Sequence, residues 1–203
     1  MKHKVLIVAI LFASVQLHSQ DVKKIQKAFE NSYKLEKENK LENSITALIE
    51  VYTEDSYEIN IRLGWLYYQK GNFSESEKYY SKAISLLPYS EEAKFGLILP
   101  KNASADWDGV IEIYKQILTI SPNNTIANYR LGLIYYNQQK YNDAYALFEK
   151  VVNLYPFDFD GLLMYAWSSL QIGKSKEARI LFNKVLMNFP NNESALEGLD
   201  ILN

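Results

Sequence analysis

The sequence holds no cysteine and only two histidines, His3 and His18. The missing thiol excludes a disulfide framework, a zinc–thiolate site, a cysteine nucleophile and the lipid-bearing cysteine of a bacterial lipoprotein. Both histidines lie in the first twenty residues. A chain shortened there keeps none of the side chain most used as general base and metal ligand near neutral pH. Neither sign of charge dominates: 22 Lys and Arg stand against 24 Asp and Glu, a net charge of −2. No basic patch and no phosphate-cradling glycine loop is visible, so nucleic acid and anionic lipid are not expected as partners. With 48% hydrophobic and 23% charged residues, the composition is globular rather than disordered.

What is present begins with an address. Met-Lys-His-Lys precedes the almost wholly apolar stretch Val5–Leu17, followed by His18, Ser19 and Gln20. A basic start, a short apolar run and small residues near a cut site predict a secretory signal peptide over 1–19, cleaved near Ser19. The run is shorter than the ~20 residues that span a bilayer as a helix. No stable membrane span is expected after cleavage, and the expected location is periplasmic or secreted. The alternatives are an uncleaved N-terminal anchor and a buried core helix. The segment holds two Lys and no acid, so its removal takes the net charge from −2 to about −4.

Proline is sparse, but four of the five are evenly placed: Pro88, Pro122, Pro156 and Pro190, each 34 residues after the last. Blocks aligned on them run 57–90, 91–124, 125–158 and 159–192. Arg62-Leu63-Gly64 with Tyr67-Tyr68 returns in the same register as Arg130-Leu131-Gly132 with Tyr135-Tyr136. A fixed period of this length marks a repeat architecture.

The pattern resembles the tetratricopeptide repeat, a helix–turn–helix unit of 34 residues, in particular such proteins of the bacterial periplasm. The resemblance implies an all-α fold, an α-α superhelix (solenoid) of four repeats with helical caps. Small residues at the eighth site (Gly64, Gly132, Ala166) face small residues at the twentieth (Ser76, Ala144, Ala178) where the two helices approach. Rings at the twenty-fourth site, Tyr80, Tyr114, Phe148 and Phe182, plug the next helical pair. Gly71 and Gly173 end the first helix in a left-handed turn. Phe73, Trp107 and Tyr141 start the second helix. The block 91–124 departs from the pattern with Ile98 at the eighth site and Pro100 inside the first helix. That helix is expected to stop near Leu99, with 100–106 a loop. Apolar spacing predicts two further helices, 21–38 and 41–53, within an N-terminal pair over 20–56. A capping helix is expected in 193–203.

By the same resemblance the first helices line a concave groove, and a protein or peptide partner is expected there. Its lining is Ile61, Trp65, Tyr68 and Gln69, then Phe95 and Leu99. It continues with Tyr129, Arg130, Leu133, Tyr136 and Asn137, and ends with Leu163, Trp167, Leu170 and Gln171. Trp65 and Trp167 are the expected anchors for an apolar peptide or helix, although tyrosine where Tyr68, Tyr129 and Tyr136 stand is also ordinary packing in such repeats. A homo-oligomer, with the groove filled by this chain's own helix or a second copy, is the alternative, and a small apolar ligand is a third. A carboxylate clamp of the kind that holds chaperone tails is not expected, because Ile61 and Trp65 replace its basic and amide residues and Arg130 alone is compatible. Arg62 and Arg130 are expected to pair with carboxylates of neighbouring helices. Asp106 with Asp108 and Asp158 with Asp160 form carboxylate pairs of a kind that can serve glycoside hydrolysis or calcium binding, but Asp106 and Asp158 sit where helix N-caps belong. No catalytic residue, metal or cofactor is expected.

Overall fold

The computed structural model describes residues 21–203, so the signal-peptide expectation lies outside the described residues. Every regular element among them is a helix. The chain divides into two compact units, one up to Asp106 and one over Trp107–Asn203. The first holds α1 (21–37), α2 (Leu41–Ile49), α3 (Tyr57–Gln69), α4 (Phe73–Leu86) and α5 (Glu91–Ala103). The second holds α6 (Trp107–Ile120), α7 (Thr125–Asn137), α8 (Tyr141–Leu154), α9 (Phe159–Gln171), α10 (Ser175–Asn188) and α11 (Glu193–Ile201). Among the described residues no helix is long and apolar enough to cross a membrane.

Two periodic devices set the helix ends. Ser56, Ser90, Asn124, Asp158 and Asn192 are each an N-cap whose side-chain oxygen accepts the amide three residues on, at 2.7–3.3 Å. They are spaced by 34, and each satisfies a donor that the helix start leaves open. At the other end Asn39, Gly71, Ala105, Gln139 and Gly173 all have positive φ, from 57° to 79°. The residue after each returns its amide to the carbonyl five residues back, as in Asn72 to Tyr67 and Lys140 to Tyr135. That closes the first helix of every pair and aims the chain into the second.

Packing follows the small-against-large pattern. In the first unit Ser76 Oγ donates to the Gly64 carbonyl at 2.7 Å, and a Cβ on Gly64 would stand 2.9 Å from the Tyr80 ring. The α1–α2 pair repeats this with other residues. Ser44 Oγ donates to the Ser32 carbonyl at 2.8 Å, both serines are buried, and Leu48 fills the place of the ring. This pair is two residues short of the period, since Ser32 precedes Gly64 by 32. The difference falls after α2, which ends at Ile49 rather than at 53 as expected. In the second unit Phe148 and Phe182 are wholly buried, over Ala144 and Ala178. Burying each ring contributes about 2–3 kcal/mol.

Pro100 corrects the expectation of a break. α5 runs through it to Ala103, and 100–103 are helical rather than loop. Proline removes the single bond its own amide would make to Gly96. The carbonyl of Pro100 still accepts from Ser104 at 2.9 Å, and Asp106 closes on Lys101 at 2.9 Å. Placed in the last turn and buried, the ring costs one hydrogen bond without ending the helix.

Candidate functional site

In the first unit Ile61, Trp65, Tyr68, Phe95 and Leu99 are half-buried and Gln69 is exposed. α3 and α5 carry them on one side of their apolar stripe. Trp65 is not a bare anchor. Its indole N–H donates to Glu36 Oε1 at 2.7 Å, and Glu36 Oε2 accepts from Arg62 at 2.6 Å. Arg62 is 7% exposed, and its guanidinium lies 3.9 Å from the centre of the Tyr33 ring. Thus α1 supplies a carboxylate and a ring to residues of α3. Burial alone would raise the Glu36 pKa, but the hydrogen bonds from Arg62 and Trp65 and the charge of Arg62 hold it below the usual carboxylate value. The Arg62 pairing expected from the sequence is present.

In the second unit Tyr129, Leu133, Tyr136, Leu163, Trp167 and Leu170 are half-buried, while Arg130, Asn137 and Gln171 are exposed. Trp167 packs edge-on to Phe182, with ring centres 5.2 Å apart, and donates its N–H to Ser194 Oγ of α11 at 2.9 Å. Burial raises the phenols of Tyr129 and Tyr136. Arg130 makes no hydrogen bond or ion pair among the described residues, unlike Arg62. It lines a cleft of about 450 Å³ with Thr125, Ile126, Tyr129, Val151, Tyr155, Asp158 and Asp160.

Three of the four candidate carboxylates have other roles. Asp158 caps α9 through the Gly161 amide at 2.7 Å. Asp106 pairs with Lys101 at 2.6 Å, and Asp108 is an exposed acid in the first turn of α6, where it favours the helix dipole. Among the described residues no group of three or more His, Cys, Asp or Glu could hold a metal ion.

Two polar sets were not foreseen. Asn60 and Asn128 are wholly buried, and their amides bind the carbonyls of the preceding turn: Ser56 at 2.7 Å for Asn60, Pro122 at 3.0 Å for Asn128. Lys94, at the same repeat position, donates to the Pro88 carbonyl. The signal was a polar residue recurring within the N-terminal turn of three blocks. The other set joins Tyr145 and Tyr165 (2.9 Å between hydroxyls) to Glu149, Glu177 and Lys174. They come from α8, α9, α10 and the N-cap Lys174 before α10, and only the packing of the three helices joins them.

Comparison with known proteins gives two family matches. Residues 57–90 match the model described as tetratricopeptide repeat. Residues 105–185 match the one described as anaphase-promoting complex, cyclosome, subunit 3. The chain is 27% identical over 148 residues to the TPR repeat-containing protein YpiA of Bacillus subtilis (strain 168), covering 73% of this chain and 35% of that protein. It thus spans about a third of the length of that relative. Among solved structures it resembles a tetratricopeptide repeat protein from Parabacteroides merdae ATCC 43184, with a TM-score of 0.72, 19% identity, and 89% and 72% of the two chains covered. It also resembles MamA from Desulfovibrio magneticus RS-1, with a TM-score of 0.66, 16% identity, and 84% and 97% covered. At these identities the likeness is one of fold.

Proposed function

We propose that this chain, a tetratricopeptide-repeat protein, is an exported scaffold that binds a peptide or helix of another protein along the faces of its first helices. One observation carries the reading. In the blocks 57–90, 125–158 and 159–192 the first helix carries three large side chains left half-buried and then an exposed amide: Ile61, Trp65 and Tyr68 before Gln69, Tyr129, Leu133 and Tyr136 before Asn137, and Leu163, Trp167 and Leu170 before Gln171. Half-buried rings beside exposed amides suit a partner that buries apolar area and pairs its backbone at the rim. The surface stands ready before binding, which reduces the ordering cost. The second reading is self-assembly, with the face covered by this chain or another copy. It is favoured by α1, which already engages Trp65 and Arg62 in the first unit.

Photo-crosslinking residues placed at Gln69, Asn137 and Gln171 test both readings, with Lys78 and Lys184 as controls on second helices. A single partner captured at the first three positions and absent from the controls supports the scaffold. Capture of a second copy supports assembly. Equal capture at all five positions overturns both. Export is tested by the intact mass of the native chain, which should correspond to a start near Gln20, and a mass that includes Met1–Ser19 removes that part of the proposal.

A further inference from the structure

Repeat positions that satisfy one another in the first unit are left open in the second. In the first, Tyr57 begins α3. Its hydroxyl lies 2.6 Å from Ser90 Oγ and donates to Glu92 Oε2 at 3.0 Å. Arg62 is held by Glu36 at 2.6 Å. Phenol, carboxylate and guanidinium thus each have a partner within the unit. Two periods later the sequence has Thr125 for Tyr57, Arg130 for Arg62, Asp158 for Ser90 and Asp160 for Glu92. All four line the cleft of about 450 Å³.

The first unit has a corresponding cleft of about 360 Å³, lined by Tyr57, Arg62 and Glu92; the exchange of Tyr57 for Thr125 removes that ring from the lining, and with it the hydroxyl that would reach the position of Asp160. Arg130 and Asp160 make no hydrogen bond or ion pair among the described residues, and Asp158 uses one oxygen, on the Gly161 amide. Both signs of charge therefore line one cleft without neutralising each other. Tyr129 forms a half-buried wall, and Tyr155, 59% exposed, stands at the edge. A simple anion would meet two carboxylates here, and a simple cation would meet the guanidinium. A ligand carrying both charges close together, with a ring beside them, meets the guanidinium, the carboxylates and the apolar wall at once.

We propose that this cleft binds a zwitterionic aromatic amino acid, with its carboxylate on Arg130, its ammonium on Asp160 and the open oxygen of Asp158, and its ring beside Thr125, where the corresponding first-unit cleft is lined by the ring of Tyr57. The planar guanidinium takes a carboxylate through two parallel bonds. The ring gains area against Ile126, Val151 and Tyr129 and an edge or offset contact with a phenol. The proposal does not rest on the scaffold reading, since a free amino acid needs no partner protein.

Isothermal titration of the full chain with L-phenylalanine tests it, with N-acetyl-L-phenylalanine amide as the same ring without charge. Binding with Kd below about 1 mM is expected for the free amino acid, and none for the neutral derivative. Arg130→Gln and Asp160→Asn should each weaken binding about tenfold or more. Thr125→Tyr, which restores the ring of the first unit, should abolish it. All three positions lie at the cleft surface, and circular dichroism checks that helicity is kept. No binding at about 10 mM, equal binding of the neutral derivative, or unchanged binding in Thr125→Tyr overturns the proposal.

Discussion

Trp65 donates its indole N–H to the Glu36 carboxylate at 2.7 Å, and the second oxygen of that carboxylate holds Arg62 at 2.6 Å. One acid of α1 therefore fixes two side chains of α3. Replacing it leaves a largely buried guanidinium without its counter-charge, which costs far more than an exposed ion pair. Glu36→Ala is expected to destabilise the first unit by about 3 kcal/mol, read from urea unfolding, with Trp65 fluorescence shifting to the red. A loss under about 0.5 kcal/mol would show the pair to be ornamental.

The same contact sets a pH dependence. Burial works to raise the Glu36 pKa, but Arg62 and Trp65 together bring it below its ordinary 4.5. A depressed folded value means that the contact stabilises above the unfolded value and is lost as pH falls through the folded one. Trp65 fluorescence followed from pH 7 downward should stay flat until below about 4.5 and then change. In Glu36→Gln that transition should vanish, and its persistence there would assign it elsewhere.

Gln139 and Ala105 hold left-handed turns, at φ 60° and 57°, that glycine holds at Gly71 and Gly173. A side chain in this region costs about 1 kcal/mol. Gln139→Gly should raise stability by about 0.5–1 kcal/mol, seen as a higher urea midpoint at unchanged slope. Gly173→Ala should lower it by a similar amount. If both variants moved the midpoint the same way, backbone strain would not be the cause.

Gly132→Ala sets two effects against each other. Alanine favours a helix over glycine by about 1 kcal/mol. Its Cβ would, however, stand 2.8 Å from the Phe148 ring, and overpacking costs about 1–3 kcal/mol. The contact is expected to win, giving a net loss of about 1 kcal/mol. Pairing it with Phe148→Leu should recover part of that loss, and a double-mutant cycle measures the recovery.

Asn128 ties α7 to the turn before it through two carbonyls, those of Pro122 and Asn124, at 3.0 and 2.9 Å. Asn128→Ala leaves both without that donor and opens a small void. About 2 kcal/mol is expected to be lost, with hydrogen exchange rising first in the turn at 121–124. Unchanged exchange there would detach the residue from that role.

Much of the fold was legible because it depends on neighbours in sequence. The four prolines gave the period. Gly64 with Ser76 and Gly132 with Ala144 marked where two adjacent helices meet, and Gly71 and Gly173 marked the turns. The five N-caps obey the same period and could have been read from Ser56, Ser90, Asn124, Asp158 and Asn192 alone. Asn39 carries a weaker signal of the same kind as those glycines, since asparagine tolerates positive φ, while the turns at Ala105 and Gln139 were harder, because no side chain there announces positive φ and the hydrogen bonds of the turn impose it. Pro100 misled because a proline removes only its own amide, and the turn after it still closes, Ser104 on the Pro100 carbonyl and Asp106 on that of Lys101. Ser32 and Ser44 were hidden by a pair two residues short of the period.

The candidate site was legible in its residue types and not in its partners. That large apolar side chains recur at fixed sites of the first helices follows from the sequence, since a 34-residue period repeats each position. Tertiary structure decided what each one touches: Trp65 and Arg62 meet Glu36 from another helix pair, Trp167 meets Ser194, and Arg130 meets no such acid. The period returns the same kind of residue to the same place. Whether its charge is satisfied depends on side chains distant in sequence, whose reach and pairing only the packed helices reveal.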